Sequence, residues 1–103
     1  MKLDVTKKLK DLDDKVLKED KKDIVLKKIL TNALLIAVEK ESGVDKVKKY
    51  ELAKLIHKGK VIDLTAEDVV LLKKQVGDFY TPLVVGQVFA LLEGKEKESD
   101  GNK

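Results

Sequence analysis

Ile24–Val38, IVLKKILTNALLIAV, is the longest apolar run of the chain and the stretch on which the fold turns. At 3.6 residues per turn, Val25, Leu26, Ile29, Leu30, Ala33, Leu34, Ile36 and Ala37 share one wide face, whereas Ile24, Leu35 and Val38 fall on the other side among Lys27, Lys28, Thr31 and Glu39. A helix that is apolar on two sides needs cover on both, so this segment is expected to be the central helix of a small domain. Asp20 and Asp23 read as its N-terminal cap, and Gly43 suits the left-handed position that closes a helix ending near Ser42.

Working outward, residues 1–20 admit two readings. Leu3 and Val5 alternate with Lys2, Asp4 and Thr6 as in a half-buried strand, the cluster Asp11-Leu12-Asp13-Asp14-Lys15 has turn chemistry, and Val16 with Leu17 could return as a second strand. Val5, Leu9, Leu12 and Val16 also fit helical spacing. The hairpin is preferred, and because a lone hairpin is marginal in water, Leu35 and Val38 of the central helix are the surface on which it is expected to lie.

Downstream, Asp45 and Gly59 punctuate a second helix whose inward face is Leu52, Ala53, Leu55 and Ile56; Lys46, Tyr50, Lys54 and Lys58 stand on its far side, with His57 beside them. Val61–Leu64 is a short connector. Thr65 and Asp68 form a capping box, Leu64 with Val69 a hydrophobic staple, and Val69, Leu72 and Val76 the buried stripe of a third helix. Gly77 is expected to stop or kink it, leaving Asp78-Phe79-Tyr80 as a loop. Thr81 and Pro82 cap and open a fourth helix, Leu83–Glu93. Its small residues Gly86 and Ala90 match Ala33 and Ala37, a pairing that predicts close approach of the two helices. Residues 94–103, GKEKESDGNK, carry no apolar side chain and are expected to be disordered. The predicted fold is mainly α (α+β), a four-helix single domain over residues 1–93. Residues 1–20 form its β-hairpin and residues 21–93 its helical core.

Composition narrows the chemistry. With 103 residues the chain suffices for one domain, and with aromatics at only 4% its core must be built from Leu, Ile, Val and Ala. The absence of cysteine removes disulfides, thiolate nucleophiles and zinc–thiolate sites together. MKLDVTKKLK lacks the apolar core of a signal peptide, and no segment approaches the roughly 20 apolar residues of a membrane span, so a soluble, cytoplasmic protein without membrane association is expected. The 22 basic residues outnumber the 19 acidic ones by only three, and all are lysine. Bidentate recognition of phosphates or guanine edges, which is mainly arginine chemistry, is therefore missing.

Candidate sites are few. His57 is the sole histidine, and it reads as a partly exposed residue in the last turn of a helix. Asp11, Asp13 and Asp14 lack the glycine and the distal glutamate of a calcium loop and read as a solvated turn. The glycines are dispersed, which disfavours a phosphate loop. No catalytic, cofactor-binding or metal-binding residue is assigned, and an enzyme is not expected. Two surfaces remain. Leu35, Val38, Val70 and Leu71 do not fit single-sided helix faces and form a possible apolar surface for a protein partner or a second copy. Lys46, Tyr50, Lys54, His57 and Lys58 form a possible nucleic-acid surface: residues 43–63 hold six lysines against Asp45, Glu51 and Asp63. One tyrosine is not a stacking platform, so nucleic-acid binding by this helix, residues 45–60, stands as the alternative to a protein–protein role.

MKLDVTKKLKDLDDKVL, ILTNALL, KYELAKLIHKG, DLTAEDVVLLKKQVG and YTPLVVGQVFALLEG together resemble a group of small uncharacterised proteins of tailed bacteriophages and prophages, over most of the chain up to Glu93. The group usually places Asp-Gly where Asp13 and Asp14 stand here. The resemblance thus implies the hairpin, with Asp14 departing from the pattern. It implies a phage context, hence the cytoplasm of a bacterial host cell, an accessory role and no catalytic residue; the apolar surface named above makes interaction or assembly, with a partner or as a homo-oligomer, the preferred form of that role.

Overall fold

The computed structural model describes residues 1–94 in the order β1 (Lys2–Asp4), β2 (Lys18–Glu19), β3 (Lys22–Asp23), α1 (Leu26–Leu35), α2 (Gly43–Lys58), β4 (Val61–Asp63), α3 (Ala66–Phe79) and α4 (Pro82–Leu92). The expected disordered tail lies, from residue 95 onward, outside the described residues.

The N-terminal segment is extended. Val5 and Leu9 are fully buried, whereas Leu12, which helical spacing would place beside them, is 93% exposed at the tip of a turn. Asp11 builds that turn: its carboxylate accepts from the backbone of Asp13 (2.8 Å) and Lys15 (3.0 Å), and Asp14 takes the positive φ of 68°. Asp tolerates this conformation better than most residues. The chain returns through Val16 opposite Lys10, and Leu17 donates to the Leu9 carbonyl at 2.9 Å.

The expected cap at Asp20 is not formed. Asp20 and Lys21, at φ 52° and 69°, are instead the two central residues of a hairpin joining β2 to β3, in the register Glu19↔Lys22 and Lys18↔Asp23. Two positive φ angles are what a type I′ hairpin turn demands, and its twist suits the flanking strands. The helix consequently starts later, at Leu26, with no side-chain cap. The N-terminal strand region supplies the missing acceptors: Leu26 N donates to the Lys7 carbonyl (2.7 Å) and Lys27 N to that of Val5 (2.8 Å).

At its other end α1 stops at Leu35, short of the expected Ser42, with Ile36 extended. Gly43 does not close this helix; it is the first residue of α2, capped by Ser42, whose hydroxyl accepts from Asp45 N at 3.1 Å. Ser42 thus takes the capping role expected of Asp45. The orphan carbonyl of Ala33 in α1's last turn is met from across the core, by Nε2 of the fully buried Gln75 at 2.9 Å.

The connector after α2 is a strand. β4 pairs antiparallel with β1 in the register Lys2↔Asp63, Leu3↔Ile62, Asp4↔Val61, which turns Leu3 and Ile62 into the core. Gly59 is required at the bend before it, because a Cβ there would sit 2.5 Å from Ile62 Cγ2. α3 begins with the capping box read from the sequence, Asp68 N to Thr65 Oγ1 at 3.1 Å and Thr65 N to Asp68 Oδ2 at 3.0 Å. Gly77 does not end it. The helix runs to Phe79, and Gly77 is where the Phe89 ring of α4 comes close, its Cζ 3.5 Å from where a Cβ on Gly77 would stand.

α1 packs mainly on α2 and α3, and α4 on α3. The predicted contact between small-residue faces does not occur: Gly86 and Ala37 are exposed, and no atom lies within 4 Å of a Cβ built on Gly86. Two readings of buried faces are also corrected. Leu55, expected inward, is 50% exposed, and Leu35, expected under the hairpin, is 61% exposed, because the strands cover the start of α1 and not its end.

Candidate functional site

The exposed flank of α1 and the adjacent flank of α2 enclose a groove of about 530 Å³. From α1 and the residue before it come Val25, Lys27, Lys28, Thr31, Asn32 and Leu35; from α2 come Tyr50, Ala53, Lys54 and His57. The spacing explains the arrangement. Residues 28, 31, 32 and 35, and residues 50, 53, 54 and 57, are each i, i+3, i+4, i+7 sets, so each forms one continuous strip along its helix. The buried stripes alongside, Leu26, Ile29, Leu30 and Ala33 on α1 and Leu52, Ala53 and Ile56 on α2, press the helices together and bring the strips face to face.

The floor is apolar and the rim cationic. No carboxylate is among the lining residues, while Lys27, Lys28, Lys54 and His57 are. Lys27 Nζ donates to the His57 carbonyl at 3.1 Å, tying the rim together and capping α2's last turn. Lys28 Nζ meets Glu19 at 3.1 Å, and Lys54 Nζ lies 5.3 Å from the centre of the Tyr50 ring and 3.8 Å from Glu51. These are exposed pairs of the kind worth about 0–1 kcal/mol, readily exchanged for a carboxylate on an incoming molecule. Beside the groove, burial pushes the Tyr80 phenol above its ordinary pKa, opposed by its hydrogen bond with Asn32, so the phenol stays neutral at physiological pH.

The residues singled out in the sequence are redistributed. Tyr50, Lys54 and His57 of the basic row join Leu35 of the apolar set in this one groove; Lys46 and Lys58 are exposed on α2 outside it. Val38 is half-buried in the loop after α1, and Val70 is 67% exposed on α3. Leu71 packs partly against the core and lines a second groove, between α2 and α3. Lys49, counted with the basic run, is buried in an ion pair with Glu41 and adds nothing to the surface charge. Sequence reasoning found Leu35 but missed Lys27, Lys28, Thr31 and Asn32, the polar side of the α1 wall. The i, i+3, i+4, i+7 spacing of Lys28, Thr31 and Asn32 with Leu35 was visible, but the α2 strip opposite was not assignable to them.

The α2–α3 groove, about 660 Å³, has Val47, Leu52, Leu55 and Leu71 as apolar walls, and its lining holds five carboxylates against three lysines. A third, of about 600 Å³, lies between the Asp11–Lys15 turn and α4. There Gln87 Oε1 accepts from Lys10 N at 2.8 Å and its Nε2 donates to Lys10 O at 2.6 Å. Among the described residues no group of three or more His, Asp or Glu is placed to hold a metal ion, and no helix is long and apolar enough to cross a membrane. No family model, no curated protein and no solved structure matches the chain.

Proposed function

We propose that the protein is a noncatalytic binding module, an accessory protein of the phage or prophage type, which acts by protein–protein interaction through the α1–α2 groove. The phage context rests on the sequence resemblance alone. The binding role rests on one observation: an open groove whose floor carries Leu35 and Tyr50 at 61% and 53% exposure, and whose rim is cationic with no lining carboxylate. Such a surface favours an acidic segment carrying an apolar anchor, since exposed apolar area supplies affinity while the lysines steer and orient the approach.

Nucleic acid is the competing ligand for the same lysines. The burial of Lys49 and the single ring of Tyr50 argue against it, because backbone binding needs many exposed cations and base stacking needs more than one aromatic. The test is a pair of variants in affinity capture followed by fluorescence anisotropy. Leu35→Glu places a carboxylate on the apolar floor and is expected to abolish binding of the captured partner at all salt concentrations. Lys28→Glu with Lys54→Glu is expected to weaken it most at low salt. A partner that binds Leu35→Glu as well as the wild type would refute the reading. Tight oligonucleotide binding that falls steeply with salt and is lost in the lysine variant would replace it with the nucleic-acid one.

A further inference from the structure

We infer that the Asp11–Lys15 turn of one copy docks in the α1–α2 groove of a second copy, so that the chain assembles head to tail. This rests on the groove reading given above and supplies an occupant for it.

The turn has the chemistry that the groove selects. Leu12 at its tip is 93% exposed, the most exposed large apolar side chain among the described residues, and it is flanked by Asp11, Asp13 and Asp14 against the single Lys15. Three carboxylates less one ammonium give the tip a charge of −2, facing a groove with three lysines and no carboxylate in its lining. In the docked arrangement Leu12 covers Leu35, and Asp13 and Asp14 replace Glu19 and Glu51 as partners of Lys28 and Lys54.

The tip is also held rigid. Asp11 fixes the loop through two backbone hydrogen bonds, and Gln87 clamps Lys10 through two more. An exposed leucine on a flexible loop would cost backbone freedom on docking; here the backbone on either side of Leu12 is already fixed, and only its side chain is left to order. Tip and groove share no lining residue, the former lying against α4 and the latter between α1 and α2. Each docked copy therefore keeps a vacant tip or a vacant groove, which is a heterologous contact that propagates into chains or rings. A loop-in-groove contact is small, so the association is weak and shows at high protein concentration and low salt.

The experiment is sedimentation equilibrium of the full chain from about 20 μM to about 1 mM, a range that brackets weak association, with circular dichroism to verify that each variant is folded. The wild type is expected to rise in mean mass above the 11.5 kDa monomer as concentration increases, and to fall back at high salt. Leu12→Ser removes the tip anchor and Lys28→Glu with Lys54→Glu inverts the rim; each alone is expected to remain monomeric. Mixed in equal amounts, the two retain one intact tip and one intact groove, and are expected to stop at about twice 11.5 kDa without growing further. A wild type that is monomeric throughout, or variants that associate as the wild type does, overturns the inference. A cyclic peptide of residues 10–16 separates the two levels. If it fails to bind while another acidic amphipathic peptide binds in a Leu35-dependent way, only the head-to-tail contact falls; if neither binds, the groove reading falls with it.

Discussion

Replacing Gln87 by Ala tests how the exposed turn is held. Lys10 and Val16 face each other as a pair whose flanking bonds are made by Leu9, Asp11, Lys15 and Leu17, so the N–H and C=O of Lys10 itself point away from the hairpin. Gln87 takes both, at 2.8 and 2.6 Å, and so stands in for a neighbouring strand. Each such bond contributes about 0.5–1.5 kcal/mol net. Both lie at an exposed site where water replaces the lost amide, which puts the pair near the low end, and Ala gains a few tenths of a kcal/mol in helix propensity. The expected loss is about 1 kcal/mol, or about 4–8 °C in Tm for a domain of this size. Urea titration gives the global figure, and amide hydrogen exchange gives the local one. Lys10 is expected to lose its protection, while Leu26 and Lys27, bonded to the carbonyls of Lys7 and Val5, keep theirs. Unchanged stability together with a protected Lys10 amide would show that the clamp is not what orders the turn.

Gln75 is fully buried with Oε1 unpartnered and Nε2 on the Ala33 carbonyl. Gln75→Glu removes the donor and buries a charge, so a loss of more than about 3 kcal/mol is expected. Gln75→Leu trades one unpaired oxygen for another and is expected to stay within about 1 kcal/mol of the wild type in denaturant titration. Gly59→Ala drives a methyl into Ile62 and is expected to lose about 1–3 kcal/mol, read by the same titration. Lys8 and then Lys18 hold the Asp23 carboxyl below its ordinary pKa by hydrogen bonding. Because the folded value is the depressed one, the contribution of Asp23 is fully present above the unfolded value of about 3.9 and is lost as pH falls through the folded value. The stability difference between wild type and Asp23→Asn should therefore be constant near neutrality and shrink below about pH 4; a difference that persists at lower pH would contradict the assignment.

What could be read from the sequence was local. The capping box at Thr65 and Asp68, Pro82 at the start of α4 and the Asp11–Lys15 turn are each specified by residues within a few positions of one another, and all three stand where expected. The misplaced boundaries have tertiary causes. α1 has no glycine or proline to stop it; what surrounds its end is tertiary, Gln75 of α3 on the Ala33 carbonyl and a loop tied through Glu41 to Lys49. Asp20 was ambiguous because the same short acidic side chain serves a helix cap and a positive-φ turn. The β1–β4 pairing joins residues about 60 positions apart, and three alternating residues do not name a partner. The α2 half of the groove was legible as the row containing Tyr50, Lys54 and His57. Of the α1 half only Leu35 was, because Lys27, Lys28, Thr31 and Asn32 look like any solvated flank until α2 packs against them.

The groove's role is tested most directly by a ¹⁵N–¹H chemical-shift titration of the full chain with an acidic peptide bearing one leucine. Binding in the groove predicts saturable shifts concentrated at Leu35, Tyr50, Ala53 and Lys54, abolished by Leu35→Glu. Shifts that cluster on the α2–α3 groove or around α4, or that persist unchanged in that variant, would contradict it.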